Sequence, residues 1–249
     1  MKKNIVCDER RLIQIPGNYD QTILFAVDKW IEYANESIKD HNFFSVALSG
    51  GTTPKAIFQK LVNQAHLIDW SKIYVFWSDE RSVLPCHPES NYRMAMEESG
   101  LEKLPIPKNQ IYRMVAESDI ERNATNYEKI IQRVLGTHPF DLIMLGLGDD
   151  GHTASLFPNT QGLIAKDQLI VANYIPQKNT WRMTMTYKCI NSARHTCMYV
   201  LGSKKIKIIE KILTSDYNYK NYPAQNIGTK LNPSLWILDK EASKKIYLY

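Results

Sequence analysis

Phe43-Phe44-Ser45-Val46-Ala47-Leu48-Ser49-Gly50-Gly51-Thr52-Thr53-Pro54 decides the fold. The run from Phe43 to Leu48 is short, apolar and without alternation, as in a strand buried on both faces, and it stops at Ser49-Gly50-Gly51. Pro54 through His66 then reads as a helix, with Pro54 in the first turn, where a missing N–H costs nothing. A strand running through glycines into a helix is the repeating unit of a layered α/β fold. Outward from this unit the alternation continues. Upstream, Ile23, Val27, Trp30, Ile31, Ala34 and Ile38 form one stripe of a helix over 20–40. Downstream, Ile73–Trp77 is a second strand by its β-branched and aromatic content. A short helix over 91–98 and a long one over 119–135 follow, the latter striped by Ile120, Ala124, Tyr127, Ile131 and Val134/Leu135. Phe140–Leu145 is a third strand, ended by Gly146. Further strands are expected over 168–172, 182–187, 196–201 and 235–238, with a helix over 204–214. The prediction is one α/β domain over residues 1–249, a layered fold whose largely parallel sheet is flanked by helices. Ligands of such sheets gather at the carboxyl ends of the strands.

Composition limits the function. The chain has 249 residues, 44% hydrophobic and 23% charged, which is ordinary globular usage and excludes wholesale disorder. Lys plus Arg is 31 and Asp plus Glu is 26, a net charge of +5. That mild excess suits an anionic small molecule, and no basic block of the nucleic-acid kind is present. Cys7, Cys86, Cys189 and Cys197 form neither a C-x-x-C pair nor a Cys/His zinc pattern, so reduced thiols are expected. The N-terminus from Met1 to Arg11 turns charged before any apolar core forms, so no secretory signal is expected. No apolar run approaches the ~18 residues of a membrane span. A cytoplasmic protein without membrane, nucleic-acid or obligate protein partner is expected.

Five segments are rich enough to carry chemistry. Ser49-Gly50-Gly51-Thr52 places flexible backbone and hydroxyls before a helix, whose first-turn N–H groups suit a phosphate; the plain alternative is a tight turn capped by Thr. Asp79-Glu80-Arg81 ends a buried strand at the ligand edge, where a solvated ion-pair patch is the alternative. Gly146-Leu147-Gly148-Asp149-Asp150-Gly151-His152 follows the third strand. At an expected helix start the dipole disfavours imidazolium, which leaves His152 available as a base, while a neighbouring carboxylate acts the other way and orients the ring. Arg182 opens a strand. In Gly202-Ser203-Lys204-Lys205, two lysines in a first helical turn oppose the dipole unless an anion binds there.

Together these segments resemble the 6-phosphogluconolactonase family, lactone hydrolases of the oxidative pentose phosphate pathway, from about Ser45 to Ala242 and in matching order. Leu48-Ser49-Gly50-Gly51-Thr52-Thr53-Pro54 resembles its phosphate loop. Trp77-Ser78-Asp79-Glu80-Arg81, with His87-Pro88 and Ser90-Asn91, resembles a second signature. Gly148-Asp149-Asp150-Gly151-His152-Thr153-Ala154-Ser155-Leu156-Phe157-Pro158 resembles its most specific motif. Two stretches depart: the approach to the Arg strand is Ile175-Pro176-Gln177-Lys178-Asn179, and Asn159 stands where glycine is usual. The resemblance implies a Rossmann-like fold similar to glucosamine-6-phosphate deaminase and ribose-5-phosphate isomerase. It implies His152 as general base and a phosphorylated sugar lactone as substrate; the catalytic Asp79 and Arg81 would orient substrate, water or His152. Ser49, Gly50, Gly51, Thr52, Asp150, Gly151, Arg182 and Lys205 would bind that substrate. A δ-lactone is an activated ester, so no cofactor and no metal is expected.

Two rivals compete with the lactonase. A glucosamine-6-phosphate deaminase shares a D-G-H turn but is expected to follow D-E with Tyr rather than Arg81. A sugar-phosphate sensor usually carries a DNA-binding module, and the roughly 19 residues before the first long helix are too few for one.

Overall fold

The computed structural model describes residues 5–246, with side chains from Asp8 onward; the sequence reading of residues 1–4 and of the Cys7 thiol lies outside the described residues. Among the described residues, ten strands and six helices follow in chain order: β1 Ile5–Asp8, β2 Arg11–Gln14, α1 Tyr19–His41, β3 Phe44–Leu48, α2 Thr52–Asn63, β4 Ile73–Trp77, β5 Asp79–Arg81 and α3 Asn91–Arg93, which runs on as a π-helical turn over Met94–Glu98. Then come α4 Ile120–Leu135, β6 Leu142–Gly146, β7 Ile170–Ile175, β8 Thr180–Met185, α5 Tyr187–Ser192, β9 His195–Val200, α6 Ile206–Thr214 and β10 Ser234–Leu238. The main sheet has the order β1-β2-β10-β9-β6-β3-β4, parallel throughout except for the β1–β2 pair.

Local chemistry sets the boundaries that matter. Asn18 accepts from the Gln21 N–H while the Gln21 side chain accepts from the Asn18 N–H, a capping box that starts α1. Asn42 closes α1 in the left-handed conformation at φ 68°. The predicted stripe is borne out at Ile23, Val27, Trp30 and Ala34, all buried, where α1 packs on β3 and α2. The helix α2 begins at Thr52, two residues before Pro54, and its cap is Gly51 at φ 111° with no side-chain hydrogen bond, so the Thr cap of the plain alternative is not formed.

A second sheet went unread in the sequence. β5, β8 and β7 pair antiparallel in the order β5-β8-β7, and the runs 168–172 and 182–187 belong to it rather than to the parallel sheet. β5 is Asp79-Glu80-Arg81 itself, a strand too polar for hydrophobic patterning to mark. β1, β2 and α5 were also missed, being short. The helix α4 packs on β7 and β8, and its Tyr127 hydroxyl accepts from the Trp77 N–H at 3.0 Å and donates to the Tyr112 carbonyl at 2.8 Å. Residues of both sheets share one core, in which Phe76 and Leu145 join Ile170, Met183 and Met185.

Cys86, Cys189 and Cys197 are free, and burial pushes the thiols of the last two up to about 12. No helix among the described residues is long and apolar enough to cross a membrane.

Candidate active site

β3 lies between β4, which follows it in sequence, and β6, which the chain reaches only after the second sheet has begun. The chain leaving β3 goes on to β4 and the chain leaving β6 returns to the main sheet at β9, on the opposite side, so the loops beyond the carboxyl ends of β3 and β6 diverge to open a crevice. A cavity of about 150 Å³ occupies that place, lined by Ser49 and Gly50 after β3, Gly148, His152 and Ala154 after β6, and Asp79, Arg81 and Asn91 beside them.

The histidine does not start a helix. From Asp149 the chain runs through turns, and the next regular segment is the 3-10 turn Gln161–Ile164, so the expected dipole effect on His152 is absent. A carboxylate orients the ring instead. Asp150 Oδ1 lies 2.5 Å from His152 Nδ1 and accepts the His152 backbone N–H at 3.1 Å. Burial raises the Asp150 pKa, but the bond to His152 outweighs it and holds the carboxyl below its ordinary value. An ionised carboxylate only accepts, so Nδ1 carries a proton, and in the neutral ring the lone pair is therefore on Nε2. Phe157 stacks on the imidazole with centroids 3.8 Å apart and planes 16° from parallel, which fixes the ring's second torsion. Gly148 gives the ring room: a Cβ there would sit 2.0 Å from Nδ1. Gly151 holds the turn at φ 86° and packs against Tyr222. Asn159, the departure from the family pattern, adopts φ 59°, a left-handed conformation that asparagine adopts more readily than most residues with a Cβ.

The acidic end of β5 is organised from inside. Glu80 is 3% exposed and accepts the N–H groups of Arg81, Asn91 and Tyr92 and the Ser90 hydroxyl. Burial raises its pKa against the opposing pull of those three backbone N–H groups. Glu80 thereby fixes the start of α3 and with it Asn91, whose amide donates to the Asp79 carbonyl at 2.9 Å. Asn91 is packed so closely on Gly50 that a Cβ there would lie 1.8 Å from Asn91 Oδ1. Asp79, 6% exposed, accepts the Ser155 hydroxyl at 2.7 Å through Oδ2.

The predicted residues are brought together unevenly. Ser49, Gly50, Asp79, Arg81 and His152 line the cavity, and Asp150 touches the ring. Gly51 and the exposed Thr52 follow Gly50 at the uncapped end of α2. Arg182 sits opposite Arg81 in the β5–β8 register. Burial and then the Arg81 charge lower the Arg182 pKa, and the Nε atoms of both guanidiniums are buried without a hydrogen-bond partner. Lys205 lies in a 3-10 turn before α6, not in the helix, and pairs with Asp149 at 2.6 Å. Asn91, Glu80, Ser155 and Phe157 carried no assigned role in the sequence; the only signal was their place inside the two signatures.

The fold and site define a class: an α/β enzyme with an oriented imidazole and paired guanidiniums at the carboxyl edge of a parallel sheet. The family model for glucosamine-6-phosphate isomerases/6-phosphogluconolactonase matches residues 18–236, and the chain belongs to that family. A protein of Chlamydia pneumoniae named 6-phosphogluconolactonase is 42% identical over 215 residues, 86% of this chain and 82% of its own. One from Synechocystis sp. with the same name is 40% identical over 218 residues, 85% and 88% of the two chains. The structure of 6-phosphogluconolactonase from Trypanosoma cruzi superposes with a TM-score of 0.81 at 28% identity, covering 94% of this chain and 96% of that one. A monomeric glucosamine-6-phosphate deaminase matches at TM-score 0.77 and 18% identity, over 93% and 98% of the two chains, a likeness of fold alone.

Proposed function

We propose that this chain hydrolyses 6-phospho-D-glucono-1,5-lactone to 6-phospho-D-gluconate, with water activated by His152. The Asp150–His152 pair carries the reading, because it gives the proton of the neutral ring to Nδ1 and makes Nε2 the basic nitrogen, in a cavity beside two arginines. The names of the relatives support the substrate. Nε2 takes a proton from water as the oxygen attacks the lactone carbonyl carbon. The tetrahedral intermediate collapses by breaking the bond to the ring oxygen, which receives that proton from the imidazolium. Asp150 stabilises the imidazolium between the two steps. The product acid then ionises and releases one proton to solvent.

Arg81 and Arg182 hold the phosphate, which supplies the partner that each Nε lacks and relieves their mutual repulsion. The N–H groups at Gly50, Gly51 and Thr52 add the partial positive charge of an uncapped helix end. Lys205 joins them by exchanging Asp149 for the phosphate, and Gly151 gives the turn its shape. Asp79 accepts a hydrogen bond from a sugar hydroxyl, and Ser49 lines the wall beside it. Residues 1–249 act as one domain, in the cytoplasm, on a small molecule; the core shared by the two sheets supports the first point and the substrate class the second.

Hydrolysis of freshly generated lactone, followed by proton release and corrected for spontaneous opening, tests the reading. His152→Ala should lower kcat by about 10²–10⁴-fold with the fold intact. Near wild-type turnover by that variant, or ammonia released from glucosamine 6-phosphate without lactone hydrolysis, would overturn it.

A further inference from the structure

The turn that carries His152 is fastened to the second sheet through one residue. Ser155 is wholly buried, and each of its polar groups meets a different strand. Its hydroxyl donates to Asp79 Oδ2 on β5 at 2.7 Å, and its N–H donates to the Thr184 hydroxyl on β8 at 3.1 Å. Its carbonyl accepts from the Asn173 amide on β7 at 2.9 Å. Asp79 and Thr184 face each other in the register, as do Arg81 and Arg182 two residues along the same strands. Thr153 ties the same turn to the main sheet, its hydroxyl donating to the Gly146 carbonyl at 2.8 Å. Between the two ties Ala154 is held at φ 47°, a conformation a residue with a Cβ adopts only when its neighbours impose it.

We infer that Ser155 is a positioning residue for the reaction, acting through Asp79. By occupying Oδ2 it leaves Oδ1 turned toward the Asn91 amide, 3.4 Å away, and both residues line the cavity. It also sets the separation between the base and the guanidinium pair, because turn and strand meet at this bond. The inference rests on the lactonase reading above. A carboxylate held at one oxygen presents the other in a single direction, so a sugar hydroxyl bonded to it is held in one orientation relative to Nε2. The backbone bonds of Ser155 survive replacement of its hydroxyl, so Ser155→Ala isolates the link to Asp79.

A double-mutant cycle tests it. Ser155→Ala should lower kcat/KM for 6-phosphogluconolactone about tenfold in the wild-type background, the size of one charge-assisted hydrogen bond. In an Asp79→Ala background the same change should cost less than about twofold, because no acceptor for the Ser155 hydroxyl remains. Ser155→Cys, which keeps a weaker donor, should fall between wild type and Ser155→Ala; it carries the same comparison if the alanine variant does not fold. A residue that serves stability alone would lower the melting temperature in both backgrounds by the same amount and leave kcat/KM in place. Equal losses of kcat/KM in the two backgrounds, or no loss in either, would overturn the inference while wild-type turnover keeps the lactonase reading intact. Absence of wild-type turnover overturns both.

Discussion

Gly148→Ala separates the geometry of the base from the stability of the fold. The new Cβ would lie 2.0 Å from His152 Nδ1, 2.1 Å from Cε1 and 2.8 Å from Asp150 Oδ1, whereas ordinary contact begins at 3.4 Å. The ring must retreat by 3.4 − 2.0 = 1.4 Å, which breaks its 2.5 Å bond to Asp150. Misplacing a reacting group by about 1 Å costs on the order of 10²-fold in rate, so kcat should fall by at least that factor. The backbone itself accepts alanine, since Gly148 is not one of the positive-φ glycines. Restricting the unfolded chain contributes about 0.4–1 kcal/mol of stability, which offsets much of the lost hydrogen bond. The melting temperature should therefore stay within a few degrees of wild type while lactone turnover collapses. Measuring both on one preparation decides the matter: wild-type kcat in a folded Gly148→Ala protein would show that the ring position does not control the reaction.

Three further outcomes follow from the same structure. Glu80→Gln turns one of two acceptor oxygens into a donor that faces N–H or O–H groups of Arg81, Ser90, Asn91 and Tyr92; a loss of about 2 kcal/mol, or roughly 4–8 °C in melting temperature, is expected, and an unchanged melt would refute the organising role. Arg182→Ala removes half of the guanidinium pair, so KM should rise roughly 10–150-fold; unchanged kinetics, or equal turnover of the phosphate-free lactone, would exclude the pair as the phosphate site. Burial holds His195, stacked on Tyr33 with centroids 3.9 Å apart, below its ordinary 6.5; its contribution to stability is present above about pH 6.5 and is lost as pH falls through the lower folded value. His195→Phe keeps the stack and should shrink the drop in melting temperature between about pH 7.5 and pH 5; an equal drop in both proteins would contradict the assignment.

The parallel sheet and the segments that line its carboxyl edge are legible in the residues alone. Strands buried on both faces, such as Phe44–Leu48 and Leu142–Gly146, are apolar but for Ser45, and each is followed within two residues by a glycine, Gly50 or Gly148, that a close approach requires; both signals are local and survive in one dimension. His152 was legible for the same reason, inside a glycine-rich turn after a strand. The tertiary structure alone decided what holds the ring. A helix start was expected from the residues after His152, but no helix forms there, and Asp150, Phe157 and the space above Gly148 orient the imidazole. Lys205 read as an anion-binding cation, and only the folded chain pairs it with Asp149, 56 residues away in sequence. The second sheet was invisible because Asp79-Glu80-Arg81 is a strand whose charges are satisfied by distant partners: Ser155 for Asp79, the start of α3 for Glu80. Hydrophobic periodicity reports what a segment hides from water. It does not report which polar groups will meet, because hydrogen-bond partners are chosen by packing between elements far apart in the chain.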